Sequence, residues 1–159
     1  MTRERAGTSW WPALAMARGN AAAAGAHTVG TQHVLLALLA TRGEAAAVLD
    51  RAGVDRGRVL AALQGITGVG ARATPVDVER VAMSPRVGAL IRRASQGAPG
   101  EIADLAVLGE LLEEGGEPSL VQLVLTSLGA RRRAVNAYRT VAPVSPARIG
   151  NAEGDLVAG

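Results

Sequence analysis

The amino-acid sequence predicts an all-α fold, and three observations carry that prediction. Its 159 residues are rich in Ala, Leu, Val and Arg, and the apolar ones recur at helical spacing. Aromatic residues make up only 2%, with no Phe, so the aromatic and β-branched runs that announce strands are missing. Gly, Pro and short polar side chains separate the apolar stretches at intervals of about one helix. With 48% hydrophobic residues and a mean hydropathy of +0.20, the chain can bury a sizeable core. Its length suits one domain, or two small halves sharing a core.

The first helix is expected to start at Thr8 or Ser9 as N-cap. Pro12 is tolerated in its first turn, and Gly25 ends it. The second is the best defined: Val29-Gly30-Thr31-Gln32-His33-Val34-Leu35-Leu36-Ala37-Leu38-Leu39. There Thr31 is the expected N-cap, and Val34, Leu35, Leu38 and Leu39 form one apolar stripe. A third helix, 44–52, turns Ala47 and Val48 inward. A fourth is capped by Asp55 and turns Val59, Leu60 and Leu63 to the core. Residues 1–7 read as a flexible N-terminus, 8–64 as a first four-helix unit and 65–83 as a linker. Ser84-Pro85 opens the second unit, 84–141, whose later helices begin near Asp104, Ser119 and Arg131. Residues 142–159, rich in Pro, Gly and Ala, read as a disordered tail.

The two units repeat one another. Val34-Leu35-x-x-Leu38-Leu39 matches Val107-Leu108-x-x-Leu111-Leu112, an offset of 73 (34 to 107). Val48-Leu49-x-x-x-Gly53 matches Val124-Leu125-x-x-x-Gly129, an offset of 76 (48 to 124). The second copy has gained three residues around Gly115-Gly116-Glu117-Pro118. Duplication of a four-helix motif is the strongest architectural signal.

Composition also excludes functions. All 17 basic residues are arginine, a bias typical of a GC-rich genome, so arginine content by itself is no functional signal. The charge of +3 and the scarcity of aromatics argue against a nucleic-acid partner. No cysteine is present for disulfides, thiolate metal sites or thiol catalysis. The longest apolar run, 34–40, is too short for a bilayer, so a cytoplasmic protein without a membrane partner is expected. His27 and His33 lie six residues apart, outside the i, i+4 register of a helical metal pair. His33 is expected to hydrogen-bond the preceding loop, and neither a metal nor a cofactor is expected. Gly68-Val69-Gly70 follows no strand and carries no nucleotide signal.

The Val29–Leu39 stretch resembles the V-G-T-E-H-L-L-L-A-L-L motif of the Clp N-terminal domain family, the amino-terminal double repeat of ClpA/ClpC-type AAA+ unfoldases. Ala46-Ala47-Val48-Leu49 through Gly53-Val54-Asp55 and Ser84-Pro85-Arg86 resemble its further signatures. The resemblance implies eight helices in two pseudo-symmetric four-helix repeats. It also implies a domain that docks substrates and adaptors. In some members it binds phosphorylated arginine through the motif glutamate of each repeat and a threonine near the start of each first helix. Here those acids correspond to Gln32 and Leu105, which removes the carboxylates such a site uses. The chain has no G-x-x-x-x-G-K-[ST] sequence and no lysine to complete one, so it cannot hydrolyse ATP by that route.

Two functional readings follow. In the first, the chain is a non-catalytic peptide- or protein-binding module that works through the groove between its repeats. It would serve as an adaptor or a decoy, with a Clp unfoldase or its clients as partner. In the second, it is a repurposed scaffold with a small-molecule pocket, an enzyme of specialised metabolism. Candidate ligand-contacting residues are Trp10, Trp11, Thr31, Gln32, His33, Glu110 and Tyr138. Trp10 and Trp11 either both seal the end of the repeat, or one caps the core while its neighbour projects as an anchor. Glu110, Glu113, Glu114 and Glu117 form a solvated face able to receive arginine-rich peptides.

Overall fold

A computed structural model describes residues 9–68, 74–113 and 117–142. The expectations for residues 1–7, for Thr8, for Val69-Gly70, for Glu114, Gly115 and Gly116, and for 143–159 lie outside that range. Within it are eight α-helices: α1 Leu14–Ala23, α2 Thr31–Ala40, α3 Glu44–Arg51, α4 Arg56–Thr67, α5 Pro85–Ser95, α6 Asp104–Glu113, α7 Leu120–Ser127 and α8 Arg131–Val141. Helices α1–α4 form one repeat and α5–α8 the other, as the family resemblance implies.

The two copies share one core. Val34, Leu35 and Leu38 of α2 and their counterparts Val107, Leu108 and Leu111 of α6 are all fully buried. Across the repeats, α2 packs on α6 and α7, α3 on α6 and α8, and α4 on α7. Gly53 and Gly129 end α3 and α7 at positive φ (79° and 64°), which a side chain would resist. The same turn therefore redirects the chain in both copies.

Four two-residue strands were not foreseen: β1 Ser9–Trp10, β2 Thr28–Val29, β3 Ala82–Met83 and β4 Gly100–Glu101. They pair in parallel, Ser9 with Gly100 and Trp10 with Glu101, Thr28 with Ala82 and Val29 with Met83. Each strand that opens a repeat thus pairs with the strand preceding the second helix of the other repeat. This reciprocal exchange is a second expression of the pseudo-two-fold. Two residues are too few to show alternation in a sequence.

Several local expectations are corrected. The first helix starts at Leu14, not near Ser9, because the Ser9–Trp10 backbone is committed to β4 and Pro12 has no N–H to offer. Gly30, not Thr31, is the N-cap of α2. It is extended (φ −97°, ψ 174°), whereas Thr31 is already helical and buried. In α3 the inward residues are Ala45, Val48 and Leu49, and Ala47 faces solvent. Asp55 does cap α4, accepting the Arg58 N–H at 2.9 Å, but Leu60 is exposed. Ser84 caps α5 as expected, accepting the Val87 N–H.

One close approach joins α6 to α8. The Tyr138 phenol lies against Gly109, in the space a Cβ would occupy. Alanine is favoured over glycine inside a helix by about 1 kcal/mol, but overpacking of this kind costs about 1–3 kcal/mol. Gly109→Ala is therefore expected to destabilise the chain by about 1 kcal/mol in urea unfolding. Adding Tyr138→Ala should make the glycine substitution neutral or stabilising, because its steric partner is then gone.

Candidate functional site

The family motif is built from the turn into α2. Gly30 leaves its N–H pointing at the helix start, and His33 Nδ1 accepts it at 2.9 Å. The imidazole thus caps the backbone, as expected of a bond to the preceding loop. Burial lowers its pKa from 6.5 to about 4, because a charged ring would be stripped of water. At neutral pH it is uncharged, with the proton on Nε2. Gln32 is half-buried, and its amide is folded over Gly30 where any side chain would stand. At the corresponding place in the second repeat, Leu105 is buried and offers no polar group.

The tryptophans divide their roles. Trp11 is buried, and its indole N–H donates to Asp104 Oδ1 at 2.7 Å, tying the start of the first repeat to α6 of the second. Trp10, its neighbour on β1, remains 45% exposed. Of the two arrangements open at the outset, the structure has the one in which a single tryptophan caps the core.

Glu110 and Tyr138 have local partners. Glu110 Oε2 sits 3.2 Å from Arg93 Nε on α5, and Glu113 lies 3.9 Å from Arg139 on α8. The Glu117 carbonyl accepts from Arg86. The acidic edge of α6 therefore already meets the chain's own arginines. Such exposed pairs contribute little to stability, so an incoming arginine could still compete for them.

The seven expected residues do not converge. None of them lines the hollow that opens between the repeats, about 650 Å³ in volume. That hollow lies where the start of α1, the α2–α3 junction and the β4–α6 turn meet. Pro12, Met16 and Ile102 supply apolar surface, while Glu44, Glu101 and Asp104 supply carboxylates, and no arginine among the described residues lines it. Met16, in the first turn of α1, is 43% exposed. Sequence reading missed Met16, Glu44 and Glu101, which are distant in the chain. The available signal was indirect: Glu44 and Asp104 are both acids at helix starts, where the dipole favours them.

Among the described residues, no group of His, Cys, Asp and Glu is placed to hold a metal ion, and no helix is long and apolar enough to cross a membrane. Comparison with curated proteins finds no match. The family model described as Clp repeat (R) N-terminal domain matches residues 7–112. The match runs from β1 to the end of α6 and takes in both strand pairs, the capped start of α2 and the buried stripes of α2 and α6. Because it covers more than half of the 159 residues and agrees with the duplicated helical architecture, the chain belongs to the Clp N-terminal domain family.

Proposed function

We propose that the chain is a non-catalytic protein-interaction module. It would bind extended peptide segments of a Clp unfoldase, or of that unfoldase's clients, as an adaptor or a decoy. Family membership supports the class of function. The observation that carries the site is the inter-repeat hollow, with its apolar floor, exposed Met16 and unbalanced carboxylates. Small-molecule sites enclose most of their ligand, whereas this hollow is open to solvent and suits a segment of chain laid across it. Methionine adapts to varied apolar side chains, and carboxylates in a lining that holds no arginine among the described residues favour a segment carrying arginine or lysine. Trp10, on the strand that leads into α1, extends the available apolar surface.

The test is a titration of the chain with a peptide of apolar residues flanked by arginine, followed by backbone amide chemical shifts. Shifts should cluster at Pro12–Met16, Glu44 and Glu101–Leu105. Met16→Glu should weaken the affinity about tenfold, the effect of roughly 1.4 kcal/mol. An unperturbed hollow at millimolar peptide would overturn the proposal.

A further inference from the structure

The pseudo-symmetry breaks where the last helix of each repeat begins. After Gly53, α4 opens on Asp55, whose carboxylate accepts the Arg58 N–H and also lies 3.6 Å from the Arg58 guanidinium. After Gly129 the second copy reads Ala130-Arg131-Arg132-Arg133. Neither helix has an acid in its first turn, but α4 has Asp55 as both cap and counter-charge, whereas α8 has no side-chain cap at all. Arginines at the positive end of a helix dipole are unfavourably placed.

These arginines also gather other positive charge. Arg131 and Arg132 are exposed and, with Arg139, Asn136 and Thr126, line a hollow of about 600 Å³ between α7 and α8. Among the described residues, neither Arg131 nor Arg132 has an acidic partner; Arg139 has Glu113 at 3.9 Å. On the adjoining side, where α8 packs on α3, two guanidinium groups approach one point above Gly53. A Cβ there would stand 3.4 Å from Arg58 Nη1 and 4.0 Å from both terminal nitrogens of Arg133. Their hydrogen bonds go to the carbonyls of Gly53 (3.0 Å) and Gly129 (3.4 Å), and among the described residues Asp55 is the one carboxylate paired with either of them.

We propose that this arginine-lined face of α8 docks an acidic segment of a partner protein, with Arg131 and Arg132 as its main contacts. Their planar forks match Asp and Glu carboxylates in bidentate geometry. Asn136 and Thr126 provide neutral hydrogen-bonding groups beside them. Nucleic acid fits less well, because the only aromatic ring on α8, Tyr138, is turned onto Gly109 and offers no platform for a base. This face is separate from the inter-repeat hollow, so its failure or success is independent of the function proposed above.

The experiment uses the whole chain and a fluorescein-labelled twelve-residue peptide of alternating Glu and Leu or Ser, read by anisotropy at low and moderate salt. The wild-type chain should bind, more weakly as salt rises. Arg131→Gln/Arg132→Gln should reduce affinity at least tenfold, while Arg80→Gln/Arg92→Gln, the same charge change elsewhere, should alter it less than twofold. Both pairs are exposed, and circular dichroism should show both variants folded. Amide shifts in the wild-type chain, which need no variant, should map the peptide to residues 126–139. No binding at low salt, shifts elsewhere, or equal losses in the two variants would each overturn the proposal. So would displacement of the peptide by lower concentrations of twelve-nucleotide single-stranded DNA or of inorganic phosphate.

Discussion

Leu108→Ala is expected to lower the unfolding free energy by about 2–5 kcal/mol and to do so for the whole chain at once. Leu108 is fully buried in α6, which packs on α2 and α3 of the first repeat as well as on α5, α7 and α8 of its own. Truncation there removes contacts in both halves and leaves a cavity that neither half can close alone. Domains of this size are stable by about 5–15 kcal/mol, so the loss is a large share of the total. Tryptophan fluorescence supplies the decisive reading, because Trp11 belongs to the first repeat yet bonds Asp104 at the head of α6. Fluorescence and circular dichroism should shift together in urea, with a lower midpoint and an unchanged slope. Separate transitions for the two signals would mean that the repeats fold independently. The equivalent substitution in the first copy, Leu35→Ala, should have a similar cost, because Leu35 has the same burial at the same place on α2.

How legible all this was in the sequence follows from the range of the interactions. The stripes of α2 and α6 were readable because each is set by helical periodicity, and both run through the centre of the molecule. Caps formed by side chains three residues away were partly readable. Asp55 and Ser84 announce themselves by type, whereas the cap of α2 needed a histidine to act as acceptor, which residue preferences do not suggest. The strand pairs were invisible because each is two residues long and finds its partner in the other repeat. On α3 Val48 is inward as expected but Ala47 is not, since alanines on both sides of the helix carry little contrast.

The candidate surfaces were less legible still, because they are products of assembly. Met16, Glu44 and Glu101 come from three separate segments, and nothing in their spacing marks them as neighbours. Trp10 and Trp11 drew attention by rarity, yet only the pairing of β1 with β4 determines which ring is buried. The Arg131–Arg133 run is visible in the sequence, but arginine content by itself is no functional signal there. What gave it meaning was structural: the corresponding helix of the other repeat is capped by Asp55, and a second arginine reaches the same glycine. Duplication thus supplies an internal reference, against which a departure in one copy can be judged.

A second capped helix start in the chain makes a sharp prediction for His33. Its folded pKa of about 4 lies below the 6.5 of an exposed ring, so between those values the unfolded chain binds the extra proton and the folded chain does not. Stability is therefore complete above about pH 6.5, falls as the pH drops, and has lost this contribution once the pH passes below about 4. At 1.36 kcal/mol per pH unit the loss amounts to about 3 kcal/mol. Protonation also removes the acceptor at Nδ1, so the Gly30 N–H loses its partner as the ring gains charge. In the second repeat, α7 shows how to separate these effects: Gln122 Oε1 accepts the Ser119 N–H from the same third helical position that His33 occupies in α2. A glutamine cannot titrate. His33→Gln should therefore keep the cap while flattening the dependence of urea stability on pH between 7 and 4. The wild-type-minus-variant difference isolates this one ring. If that difference does not change with pH, the buried neutral imidazole is not what makes the start of α2 acid-sensitive.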